Sequence, residues 1–339
     1  MNCKIVVLSD KVLAGDLKID ISSISKIMLS FGVDTEEVLI KGQNEKFDDF
    51  SSPTFLFLHD DAIDDFVSTK NIFYKSKSEI VADEGVLTGD EFPILVLPIE
   101  GNLTNLIKKA MEIIKNRYNL KKVLIFRIFG IPFSVVQQKM TDLNLSGEYS
   151  LAGDGLLTDI YLKQPKESDF ISEEEIIINE TFGENIYAQS DMSLAEVVAK
   201  MVNLSNVKID ILDAFTYGQI AIELLKNGVA KLSSKTYSYS IENGFIKTDN
   251  EVNYRDENEM INKMSFLSIE KKKVHIAIVV AGRKVGAYYQ INLAIGSKKS
   301  IEVYNLSIEG SFEDAISIAT NSALFNLIKK LRKKDFENL

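Results

Sequence analysis

Short apolar runs of strand length alternate with longer amphipathic runs through the first third of this chain, and that alternation restricts the fold more than any other feature. Lys4–Leu8, Glu37–Ile40, Thr54–Leu58 and Ile94–Leu97 read as strands. Ile19–Phe31, stopped by Gly32, and Leu103–Arg117, which follows Gly101-Asn102, read as helices. Such alternation favours a largely parallel sheet layered with helices, so residues 1–120 are expected to form a three-layer α/β domain, helix on sheet on helix.

Residues 121–189 read as a small α+β segment: an apolar strand at Lys121–Phe129, a helix at Ile131–Leu143, and one or two strands in Gly147–Lys163. The polar linker Gln164–Asp169 follows, then a helix that Ser172 caps and Glu173-Glu174-Glu175 begin. Residues 190–339 form a last α/β unit, opening with Ser193 as cap to a helix at Leu194–Met201. Its later parts are a polar region from Lys231 to Asn258, strands at Val274–Val280, Gly286–Leu293 and Ser300–Leu306, and a closing helix at Ala315–Lys330.

No apolar run reaches the roughly 18 residues a membrane helix needs, and the N-terminus lacks a signal-peptide layout, so no membrane and a cytoplasmic location are expected. The net charge of −10 argues against a nucleic-acid surface, which needs clustered Lys and Arg. The basic run Lys329–Lys334 is read as a solvated last helical turn. Cys3, the lone cysteine, is read as a packing residue of the first strand.

Chemistry concentrates at Val207–Gly218, where an alternating strand ends at Asp213 and a helix face, Ile220, Ala221, Leu224 and Leu225, begins after Gly218. Amides at such a turn can favour an anion or a developing oxyanion. The stretch Leu212-Asp213-Ala214-Phe215-Thr216-Tyr217-Gly218 resembles the Ala-Glu-Ser-Cys-Thr-Gly-Gly motif of the CinA family of competence/damage-inducible proteins. Phe182–Val198 is similar to the lead-in to that family's C-terminal domain, Phe126–Ser134 to the opening of its middle segment, and Ser9–Gly15 to its "GdElL.G" start, with Asp10, Leu13 and Gly15 kept.

The resemblance implies a molybdopterin-binding-like N-terminal domain linked to ADP-ribose pyrophosphatase activity, a C-terminal nicotinamide-nucleotide amidase domain, and a homodimer. It implies a nucleophilic serine where this chain has Ala214, a tyrosine and serine at Tyr239 and Ser240, and a lysine where this chain has Gly244. The family's glycine-rich loop is mostly deleted between Val279 and Ala287. A methyl group cannot attack an amide, and a glycine supplies no base. Thr216 is expected to cap the helix, with Phe215 and Tyr217 filling the vacated pocket. Asp210 and Asp213 are candidates for a surviving polar pocket.

In the N-terminal domain the family's phosphate loop falls on Phe57–Asp65, without its glycines, and its "lPGvP.E" element on Leu97–Leu103, with Pro98 kept. Asp10, Gly15, Asp60, Asp61 and Pro98 are the ligand-binding candidates there. Asp60 and Asp64, like Asp61 and Asp65, stand one helical turn apart. They can hold a hydrated divalent cation, with Mg2+ on Asp61 and Asp65, or can simply form a dipole-stabilised helix start. His59 beside them is a further candidate, and His275 reads as structural. The expected function is a catalytically degenerate member that binds a small nucleotide or acts as a scaffold. The alternatives are nicotinamide mononucleotide deamidation and ADP-ribose hydrolysis.

Overall fold

The computed structural model describes residues 1–43, 45, 53–59, 62–63, 79–81, 86–88, 94–99, 103–118, 120–164, 172–242, 245–248 and 253–333. They divide into two compact units, Met1–Phe126 with Phe133–Gly183, and Arg127–Pro132 with Glu184–Leu339.

The first unit is built on four parallel strands in the order Asp34–Lys41, Asn2–Leu8, Thr54–Leu58, Ile94–Pro98. Side chains alternate across this sheet. Cys3, Ile5 and Val7 face a core shared with Ile24, Ile27 and Met28 of the helix Ile21–Ser30 and with Ile107, Met111 and Ile114 of Leu103–Tyr118. Val6 and Leu8 face the other way, onto Leu56, Leu58, Val96, Ala62 and Ile63. Both described long helices therefore cover one face. Burial pushes the Cys3 thiol up to about 12, as its packing role requires.

Two further strands of this unit, Tyr149–Asp154 and Leu157–Gln164, form an antiparallel hairpin, as expected for 147–163. The helices Phe133–Asp142 and Glu173–Phe182 complete it, and Ser172 caps the second by accepting from Glu175 N at 3.2 Å.

The second unit carries a five-stranded sheet in the order Leu232–Thr236, Ile209–Asp213, Ile276–Val285, Tyr288–Ser297, Ile301–Glu309. The first three strands are parallel and the last two continue as an antiparallel meander. Ile276 to Ala281 are buried without interruption, the signature of a strand covered on both faces. The helix Glu257–Lys272 supplies Met260 and Ile261 to one face, against Val279, Ala281 and Ala294. Leu194–Leu204, Gln219–Lys226 and Phe312–Arg332 pack on one another, and the last also lies on Tyr288–Ser297. Ser193 forms a full capping box with Glu196.

Three expectations are corrected. The region read as polar contains the strands Leu232–Thr236, Tyr239–Glu242, Phe245–Thr248 and Asn253–Tyr254, the last three forming their own antiparallel sheet. Leu225 is 59% exposed, because only Ile220, Ala221 and Leu224 of that helix turn inward. Thr216 does not cap the helix: the cap position is Gly218, at φ 83°, with no side-chain bond. No described helix is long and apolar enough to cross a membrane.

Candidate functional site

The strand Ile209–Asp213 delivers Asp213 to the carboxyl end of the parallel strands, paired with Thr236 on one side and Val280 on the other. Ligands of open α/β sheets commonly gather at that end. Asp213 is buried and closes the following turn on itself. Its Oδ1 accepts from Phe215 N at 2.9 Å and Thr216 N at 2.7 Å, and its Oδ2 from Gly218 N at 2.8 Å and from the Thr216 hydroxyl. Ala214 N donates to Val280 O at 2.9 Å. Amides that such a turn could aim at an oxyanion are therefore engaged by an internal carboxylate.

Closing this turn puts Tyr217 at φ 54°, a left-handed conformation that is costly for a side chain with a Cβ. Tyr217 is 75% exposed and meets the Phe312 ring edge-on at 5.7 Å. Phe215 points inward, where it packs edge-on against Phe312 and Tyr289. Gly282 makes room for it, since a Cβ there would stand 2.6 Å from the Phe215 ring. The expectation that Phe215 and Tyr217 plug the pocket is thus corrected: one is core, the other stands at the rim, and a cavity of about 480 Å3 remains.

Asp213, Ala214, Tyr217, Tyr237, Tyr239 and Arg283 are among the residues lining that cavity. Tyr239 donates to Glu257 Oε1 at 3.2 Å, and burial together with that carboxylate holds its hydroxyl well above the usual tyrosine range. Tyr237 donates to Val280 O at 3.2 Å and is raised mainly by burial. Both tyrosines keep their protons near neutral pH and present rings and acceptor lone pairs. Arg283 Nε and Asn292 Nδ2 reach Glu257 at 2.8 and 2.9 Å. The terminal nitrogens of Arg283 have no hydrogen-bond partner among the described residues and remain available to an anion.

The other members of the proposed constellation are placed differently. Thr216 is 1% exposed, gives its hydroxyl to Asp213 and does not line the cavity. Ser240 is exposed and bonds Glu242 at 3.2 Å; strand alternation turns it away while Tyr239 and Ile241 turn in. Gly244 lies outside the described residues. Where the glycine-rich loop would be, Ile276–Val285 turns through Gly286-Ala287 into Tyr288–Ser297 as a tight hairpin. Asp210 is buried on the helix side of the sheet, held by Lys272, Ser268 and Ser233, and does not line the cavity. Glu257 and Tyr237 were not singled out by the sequence; the acid directly after Asp256, at a helix start, was the available signal for Glu257.

In the first unit Asp10 begins a short helix and accepts from Gln43 N at 3.2 Å. Gly15 is exposed at φ +81°, and Pro98 ends its strand. Ser9 and His59, which follow adjacent parallel strands, are buried with Oγ and Nε2 2.8 Å apart. Asp60, Asp61, Asp64 and Asp65, with the Mg2+ position expected on Asp61 and Asp65, lie outside the described residues, among which no three His, Cys, Asp or Glu are grouped to hold a metal.

No family model and no curated protein matches this chain. Solved structures similar to it are competence/damage-inducible proteins of the CinA superfamily. One from Klebsiella pneumoniae is 17% identical, spanning 41% of this chain and 96% of its own, with a TM-score of 0.35. One from Enterobacter asburiae is 11% identical over 41% of this chain and 99% of its own, with a TM-score of 0.34. One from Agrobacterium tumefaciens is 13% identical over 42% and 97%, with a TM-score of 0.31.

Proposed function

We propose that the cavity behind Asp213 binds a small nucleotide without hydrolysing it, as a catalytically degenerate CinA-like site. One observation carries this reading: Asp213 engages the amides of Phe215, Thr216 and Gly218 and the Thr216 hydroxyl, while the cavity in front of it stays open. Attack on an amide needs a nucleophile, a base and donors for the oxyanion. Ala214 offers a methyl group, Tyr237 and Tyr239 retain their protons, and the turn's donors face inward. Binding needs less. Tyr217, Tyr237 and Tyr239 give rings for a planar base, and the outer nitrogens of Arg283 suit a phosphate or carboxylate.

The test follows nicotinamide mononucleotide and its deamidated product by chromatography with wild-type protein and Ala214→Ser. Neither protein is expected to form product above the no-protein control, because restoring a hydroxyl restores neither base nor oxyanion donors. Turnover by the wild type overturns the reading. Turnover by Ala214→Ser alone shows that the inward-facing amides are no obstacle and overturns the structural argument.

A further inference from the structure

The first unit contains a second cavity, of about 540 Å3, at the opposite end of its sheet from Ser9 and His59. It opens beside Asp34, the first residue of the edge strand Asp34–Lys41. Ser22, Ser25 and Lys26 of the helix Ile21–Ser30 form one wall, and Phe133 and Leu151 belong to another. Gly153 allows the second wall to form: a Cβ there would lie 2.9 Å from Phe133 Cδ2.

The two charged residues lining this cavity, Asp34 and Lys26, are not paired with each other. Asp34 is paired with Lys163, whose side chain is 8% exposed, and accepts from Ser150 Oγ at 2.6 Å. Its carboxylate is therefore answered within the protein. Lys26 lines the same cavity, is half-buried, and forms no ion pair among the described residues. Lys26 acts only through space on the exposed Asp20 at its helix's N-cap, a carboxylate held by Ser23, so the Lys26 ammonium keeps its donors for a ligand. Nearby hydroxyls are oriented to add donors: Thr35 Oγ1 donates to Ser25 Oγ at 3.1 Å, which frees the Ser25 proton, and Ser22 has no side-chain partner among the described residues. Across from these donors Phe133, Leu151 and Ala152 give an apolar stretch beside Ser150. The size suits a small organic ligand.

We propose that this cavity binds a small organic carboxylate with an apolar body, its head group on Lys26, Ser22 and Ser25 and its body against Phe133 and Leu151. The carboxylate gives the Lys26 ammonium a partner, and the ring or branched chain covers the apolar wall. This site is separate from the Asp213 cavity in residues and in unit.

The test is calorimetric titration of the full chain with 3-phenylpropionate, its neutral amide, and inorganic phosphate. Wild-type protein and Arg283→Ala are expected to bind the acid with equal affinity, and Lys26→Met to bind it roughly tenfold more weakly or worse. The amide is expected to bind at least that much more weakly than the acid. Lys26 has no hydrogen bond or ion pair to lose among the described residues, only a through-space attraction to the exposed Asp20, so its variant is expected to fold, and an unchanged melting temperature checks this. Equal affinity for acid and amide, no effect of Lys26→Met, or no binding of the acid up to about 10 mM overturns the proposal. Loss of binding in Arg283→Ala assigns the acid to the other cavity and overturns it too. Phosphate binding more tightly than the acid contradicts an apolar body.

Discussion

Asp213 accepts four hydrogen bonds inside one turn, and its loss would leave buried amides and a buried hydroxyl without an acceptor. Asp213→Ala is therefore expected to lower stability by about 3 kcal/mol, and Asp213→Asn, which keeps one acceptor oxygen, by less. Urea denaturation measures both as midpoint shifts at unchanged slope. At this scale the sequence was partly legible. Ala214 in the serine position is a single letter, and it already argues against a nucleophile there. That Asp213 turns its carboxylate onto the following amides was not legible, because that geometry depends on Tyr217 taking a positive φ, which a bulky residue rarely adopts. Arg283 and Glu257 meet from different elements, so no local spacing announces them.

Two elements of the second unit are tied by groups that make separate predictions. His275 Nδ1 accepts from Lys208 N at 2.9 Å, and burial, with Lys208 next, lowers its pKa. A proton on Nδ1 removes the acceptor. The unfolded chain then binds that proton more readily than the folded chain, so this contribution is complete above about pH 6.5 and is lost as pH falls below it. Stability measured at pH 7.5 and 5.5 is expected to fall less in His275→Asn, whose amide oxygen still accepts, than in the wild type. Asp210 joins its strand to the helix Glu257–Lys272 through Lys272 Nζ, at 2.8 Å from each carboxylate oxygen, and through Ser268. Lys272→Met leaves a buried carboxylate short of its cation and is expected to cost about 2 kcal/mol, moderated by the exposure of Lys272. Adding Asp210→Asn is expected to recover part of that loss in a double-mutant cycle. Strands and helices with apolar faces were readable to within a few residues. The short strands of 232–254 were not, since Leu232–Thr236 and Tyr239–Glu242 are mostly exposed and lack an apolar period.

Over the whole molecule, alternating strand and helix patterns announced an α/β chain, and the structure has two sheet-based units. Two open cavities with cationic donors on their walls, at Arg283 and at Lys26, were not announced, because each is assembled from separate elements. Calorimetric titration with nicotinamide mononucleotide tests binding without turnover behind Asp213, because binding gives a saturating heat and hydrolysis a continuing one. A saturable isotherm is expected in the wild type, weakened about tenfold or more in Arg283→Ala, with the nucleotide recovered intact. Sustained heat accompanied by the deamidated nucleotide, or no heat of binding at all, would contradict it.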